Sequence, residues 1–182
     1  MNKLLTTILM SIAGIGFATA SNAATSEQKA SYEAAIKKAD ADYKVTSEKC
    51  DSLKDNAKDV CKKEAKAERT HTKSEAKAEY KHTVSAQTTA RKDIAKADYK
   101  VAEKKCDSLK GNEKDVCEKE AKAKKITAVS NAKADKKIAD ARADAHEDKG
   151  DAEYKLAKEK CDALSGAAKD NCIASAKSKF GK

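Results

Sequence analysis

Six cysteines stand in three pairs, and each pair brackets nearly the same ten residues. They read CDSLKDNAKDVC from Cys50 to Cys61, CDSLKGNEKDVC from Cys106 to Cys117 and CDALSGAAKDNC from Cys161 to Cys172. Paired sulfurs hold a metal, exchange electrons with another dithiol, or staple the chain. Zinc sites draw on close Cys-x-x-Cys pairs with His or more Cys beside them, and His71, His82 and His146 all stand away from the cysteines. Catalytic dithiols favour Cys-x-x-Cys at a helix start, where the thiolate is stabilised. Cys61, Cys117 and Cys172 fall in expected first helical turns, but their partners lie too far back for that motif. The spacing predicts structural disulfides, no metal and no cofactor. Cys50–Cys61, Cys106–Cys117 and Cys161–Cys172 are the favoured bridges among the roughly fifteen connectivities that six cysteines allow.

Other candidate groups are sparse. His71 and His82 share a helix face but stand about 16 Å apart along it, too far to hold one ion. Asp140, Asp144 and Asp148 follow at i,i+4 spacing and offer a weak divalent-cation surface, interrupted by Lys136, Lys137, Arg142 and Lys149. A solvated helix face accounts for them better, since like charges at that spacing repel. There is no nucleophile elbow, no glycine-rich phosphate loop and no carboxylate pair on a rigid frame. The chain is therefore read as a non-enzyme, with no catalytic residues.

The compartment is legible in the first residues. Lys3 precedes the apolar run Leu4 to Phe17, and Ser21-Asn22-Ala23 offers small residues where a signal peptidase reads. Residues 1–23 are expected to be a signal peptide, with Ala18-Thr19-Ala20 as the second cleavage choice. No later stretch is apolar enough to span a bilayer, and no cysteine follows the run as a lipobox would need. An exported, periplasmic protein is expected, in an oxidising space where the cysteines pair.

Charge narrows the partners. Lys and Arg number 39 against 30 Asp and Glu, a net +9, of which the leader removes only Lys3. Acids and bases are finely mixed, and the aromatics are five Tyr and two Phe. Nucleic-acid binders gather basic charge on one face and add stacking aromatics, so no nucleic-acid partner is expected. An unknown protein or an anionic envelope polymer suits the charge better. Thin seams of Ala and Tyr also favour self-association, which buries more area.

These residues must be positioned by helices. Proline is absent and glycine numbers six, while Ala, Lys, Glu and Asp dominate, a composition of long helices. Tyr32, Ile36, Ala39, Tyr43, Thr46, Cys50 and Leu53 step by four and three, one seam of a helix facing a partner. On one helix, residues eleven apart lie about 16 Å apart along the axis, and a disulfide needs Cα atoms within about 7 Å. Each motif must therefore reverse the chain. Lys54-Asp55-Asn56 and Lys110-Gly111-Asn112 supply left-handed residues. Asn56 and Asn112 are expected to cap the outgoing helices, and the third copy, with Ala167 there, to fray more.

Tyr43, Tyr99 and Tyr154 correspond, as do Leu53, Leu109 and Leu164. A repeat of this length marks a supersecondary unit used several times. The expected fold is all-α: antiparallel helical hairpins, or an elongated coiled-coil-like bundle of about four helices, pinned by intra-hairpin disulfides. Residues 24–182 form one elongated helical region of three repeats, about 32–87, 88–142 and 143–182. The helices are expected near Ser26–Leu53, Ala57–Leu109, Glu113–Leu164 and Ala168–Phe180. Weak helix formers at 83–89 and 126–131 mark two places where the long middle helices break or continue.

The repeated Cys-Asp-x-Leu-x-Gly-x-x-Lys-Asp-x-Cys pattern at 50–61, 106–117 and 161–172 resembles a group of small exported proteobacterial proteins with Ala/Lys-rich helices. Copy one departs from that pattern at Asp55, where the others have Gly. Proteins of this group are often labelled TolA-like, a likeness of composition that implies an envelope location. This chain shows no counterpart of TolA's retained anchor or globular C-terminal domain, so the Tol role does not carry over. Segments such as AKADYKVAEKK also resemble late-embryogenesis-abundant stress proteins, which normally lack cysteine. The expected function is a non-catalytic periplasmic scaffold or interaction protein of the cell envelope. The alternatives are a hydrophilic stress protectant and a weak binder of anionic envelope polymers or metal ions.

Overall fold

A computed structural model describes the backbone of residues 20–182 and the side chains from 26 onward. The leader reading thus lies outside the described side chains. The described residues form five α-helices and no strand: α1 (Ala20–Cys50), α2 (Asp55–Lys81), α3 (Val84–Cys106), α4 (Gly111–Cys161) and α5 (Gly166–Phe180).

Five helices replace the expected four because one of the two weak segments breaks. His82 takes a left-handed backbone (φ 48°) and its N–H donates to the Ala78 carbonyl at 3.0 Å. Thr83 then caps α3, its hydroxyl oxygen accepting from the Ala86 N–H at 3.1 Å, which satisfies one of the free donors of a helix start. The segment 126–131 stays helical inside α4. There Ala128 shares a cleft with Ala95 and Ala102 of α3, and Val129 is half-buried. The other five residues of the segment are exposed, and the helix continues because no left-handed residue interrupts it.

Each helix packs on its neighbours in the chain, and no other helix pairs touch among the described residues. Every pairing is antiparallel. Between α1 and α2, Tyr32 stacks on Tyr80 at 5.0 Å between ring centroids, and Asp40 meets Arg69 and Lys73. His71 faces Asp98, and Glu64 faces Lys105, across α2 and α3. Arg91 reaches Asp135, and Lys125 lies 3.8 Å over the Tyr99 ring, across α3 and α4. Tyr154 meets Phe180, and Asp151 meets Lys182, at the far end of α4. The repeat keeps its register here: Tyr43 under Arg69, Tyr99 under Lys125 and Tyr154 against Phe180 occupy one position three times.

The buried residues are small. Among the described residues they are nine alanines, Thr88, and the half-cystines Cys50, Cys106 and Cys161, which are the largest fully buried side chains there. The α1 seam runs through Tyr32, Ile36, Ala39, Tyr43 and Cys50 as its period predicts. Thr46 is exposed, and Leu53 falls outside the seam because α1 ends at Cys50 and Leu53 lies in the following turn. On α4, residues 141–149 are exposed on every side, lying between the stretches that α3 and α5 cover. The expected repeat boundary at 142/143 falls inside this continuous helix.

Candidate functional site

The feature that recurs with full chemical detail is the corner between the two cysteines of each pair. Cys50–Cys61, Cys106–Cys117 and Cys161–Cys172 are disulfide-bonded, with Cα atoms 5.6, 5.7 and 5.6 Å apart. Those distances fit an unforced bridge between adjacent helices. The first cysteine of each pair is sealed, at 0, 0 and 1 % exposure, while the second is half-buried. A thiolate attacking such a bridge approaches from the side of the second sulfur, and limited access slows exchange.

Each corner is built the same way. The incoming helix ends with a tight turn in which Leu53, Leu109 and Leu164 donate their N–H to the Cys50, Cys106 and Cys161 carbonyls at 3.1, 3.0 and 3.0 Å. An extended residue follows, Lys54, Lys110 or Ser165. A left-handed residue then opens the next helix: Asp55 (φ 47°), Gly111 (φ 54°) or Gly166 (φ 55°). A Cβ at either glycine would meet nothing within 4 Å, so backbone conformation alone selects glycine there. Asn56 and Asn112 do not cap, contrary to expectation. They lie inside the first helical turn, behind the left-handed residue, and no side chain caps any of the three outgoing helices. The third corner is built like the others in this respect.

The sequence reading missed the electrostatic part of the corner. The Asp after the first cysteine pairs with the Lys three residues before the second: Lys58–Asp51 at 3.1 Å, Lys114–Asp107 at 2.9 Å and Lys169–Asp162 at 2.8 Å. The signal was present, since Asp and Lys stand seven residues apart in all three motifs. These pairs cross the turn and hold both helix ends in register. Lys104 and Lys114 hold the Asp107 carboxyl down to about 2. Lys62 and Lys58 lower Asp51, and Lys169 lowers Asp162. All three pairs are exposed to solvent, so each adds modest stability and chiefly fixes geometry.

The other candidate residues are not brought together. His71 is half-buried against Asp98 at 2.7 Å, His82 forms the α2–α3 turn, and His146 is exposed on α4. Asp140 pairs with Lys136 along α4 at 2.6 Å, and Asp144 and Asp148 point into solvent on the uncovered stretch. Among the described residues no three His, Cys, Asp or Glu side chains are grouped to hold a metal ion. No helix among them is long and apolar enough to cross a membrane. Comparison with protein-family models, with curated proteins and with solved structures finds no match.

Proposed function

We propose that this chain is a non-catalytic scaffold or interaction protein of the periplasm, in which disulfide-locked corners hold mixed-charge helices as contact surfaces. The observation that carries the proposal is the threefold recurrence of one corner. Bridge, left-handed residue and Asp–Lys pair recur together at equivalent positions. A core of alanine methyls buries little area, and area is what the hydrophobic effect rewards. Covalent corners compensate, as they do in other proteins with thin cores, and they form in an oxidising compartment. The elaborated chemistry of the chain thus goes into shape, while the helix surfaces remain free for partners.

Cell fractionation with non-reducing peptide mapping, followed by circular dichroism before and after reduction, tests this reading. A periplasmic protein with local bridges, helical when dilute and oxidised and losing its cooperative melt on reduction, supports it. Free thiols in material from the native host sink it. The all-round exposure of residues 141–149 favours a second reading, a hydrophilic stress protectant. Such a protein would be largely disordered in dilute buffer and gain helix on drying or crowding.

A further inference from the structure

The repeat that builds α2 and α3 recurs along α4 without the turn. Counted from the cysteines, Ala67, Thr70 and Ser74 on α2 correspond to Ala123, Ile126 and Ser130 on α4. Likewise Ala90, Ala97 and Val101 on α3 correspond to Ala145, Ala152 and Leu156. Where α2 meets α3, Ala67 and Ala90 are buried and the other four half-buried. Their six counterparts on α4 are all exposed, Ile126 at 53 % and Leu156 at 56 %.

The turn has been lost for a local reason. Counted from the preceding cysteine, Ile138 and Ala139 stand in place of left-handed His82 and capping Thr83. A β-branched residue resists positive φ, and alanine cannot cap, so the helix continues. The two faces that would have closed on each other now lie end to end along one side of α4. At 3.6 residues per turn, that side is opposite the one carrying Ala121, Ala132 and Cys161, where α3 and α5 are seated.

Charge is arranged to match. Residues 124–137 hold five lysines and one aspartate, and residues 140–153 hold six acids against Arg142 and Lys149. Some of these are engaged within the chain, as Lys125 over Tyr99 and Asp151 with Lys182 are. An antiparallel copy of the same helix sets the basic half against the acidic half, whereas a parallel copy sets like on like.

We infer that α4 pairs antiparallel with α4 of a second copy of this chain, about a two-fold axis near Ile138–Ala139, remaking the α2–α3 contact twice. The Lys105–Glu64 pair at 2.6 Å is then repeated as Lys160 with Glu120, while Lys104–Asp59 is replaced by a like-charged couple, Glu159 with Asp115, and His71–Asp98 by Thr127 with Glu153. Such an interface is self-complementary and closes as a dimer rather than a fibre. From Val116 to Glu159 the face is about 65 Å long and about 10 Å wide, or about 650 Å² per chain. That is slightly below the about 800 Å² per partner of a stable complex, so the dissociation constant is expected to be micromolar.

This inference deepens the scaffold proposal by naming its partner, and the test separates the two. Sedimentation equilibrium of the oxidised protein, from about 10 µM to about 1 mM, is expected to show a monomer–dimer equilibrium weakened by salt. Ile126→Asp and Leu156→Asp each act twice per dimer and are expected to raise the dissociation constant about a hundredfold. Monomer helicity should not change, because both residues are exposed. Val45→Asp, at an exposed position of α1, should leave the equilibrium as it was. Lys122 and Lys155 lie about 50 Å apart on one straight helix, so a short crosslink between them in the dimer band supports the pairing. The same crosslink in the monomer band, a chain that stays monomeric throughout, or a dimer broken by Val45→Asp alone overturns it. Monomeric behaviour with intact corners would leave the scaffold proposal standing.

Discussion

Removing the central bridge by Cys106→Ala/Cys117→Ala tests the claim that covalent corners, more than apolar burial, hold the helices together. The closed loop spans the sequence separation of 11 between the two cysteines, for which loop-closure entropy gives about 2.8 kcal/mol at 25 °C. Cys106 is also a fully buried side chain, and trimming it to alanine adds about 1 kcal/mol. A buried alanine methyl contributes about 0.8 kcal/mol, so this one corner outweighs four of the nine buried alanines among the described residues. For a chain of this size the loss corresponds to a fall in Tm of about 8–15 °C. The assay is thermal melting by circular dichroism, with thiol counting to show that the other four cysteines remain paired. A fall under about 3 °C, with those bridges intact, would refute the reasoning and assign the stability to the alanine seams.

Gly111→Ala and Gly166→Ala should each destabilise by about 1 kcal/mol despite the open space around them, because φ alone opposes the change. Asp55→Gly should raise stability by a few tenths of a kcal/mol to about 1 kcal/mol for the converse reason, and urea melts read all three. Thr83→Ala removes the oxygen that accepts from the Ala86 N–H; it should cost about 1 kcal/mol and raise hydrogen exchange first at 83–87. Asp107 titrates in the folded chain at about 2, below its ordinary 3.8. Its pair with Lys104 and Lys114 is therefore fully present above about pH 4 and lost as pH falls towards 2. A carboxyl NMR titration should place Asp107 below Asp residues that have no lysine beside them, and Lys114→Met should raise it.

The corners were legible because their logic is local. Cysteines separated by 11 positions cannot be bridged along a straight helix, so reversal and pairing follow from geometry. The α1 seam was legible as far as Cys50, with Thr46 the exception, for the same reason, periodicity within one element. The break at His82 was marked only as one of two weak segments. What separates them is left-handed His82 and capping Thr83 at the first, with no such residues at the second. Histidine takes a left-handed backbone only occasionally, so its type alone does not announce the break. The Asn caps failed because the left-handed residue starts the helix two positions earlier than the capping pattern assumes, at Asp55 and Gly111. The Asp51–Lys58 pair and its two copies were written in the motif, but a seven-residue spacing matters only once the turn brings its ends together.

The bridges also set how far the molecule stretches. Each shunts the chain across 5.6 or 5.7 Å where the intervening residues would otherwise pay out, withholding about 33 Å of contour per corner and about 100 Å in all. Pulled from its ends, the oxidised molecule would reach its taut length about 100 Å short of the reduced one. A tether made from this chain would therefore carry a ruler whose marks are moved by thiol reductants.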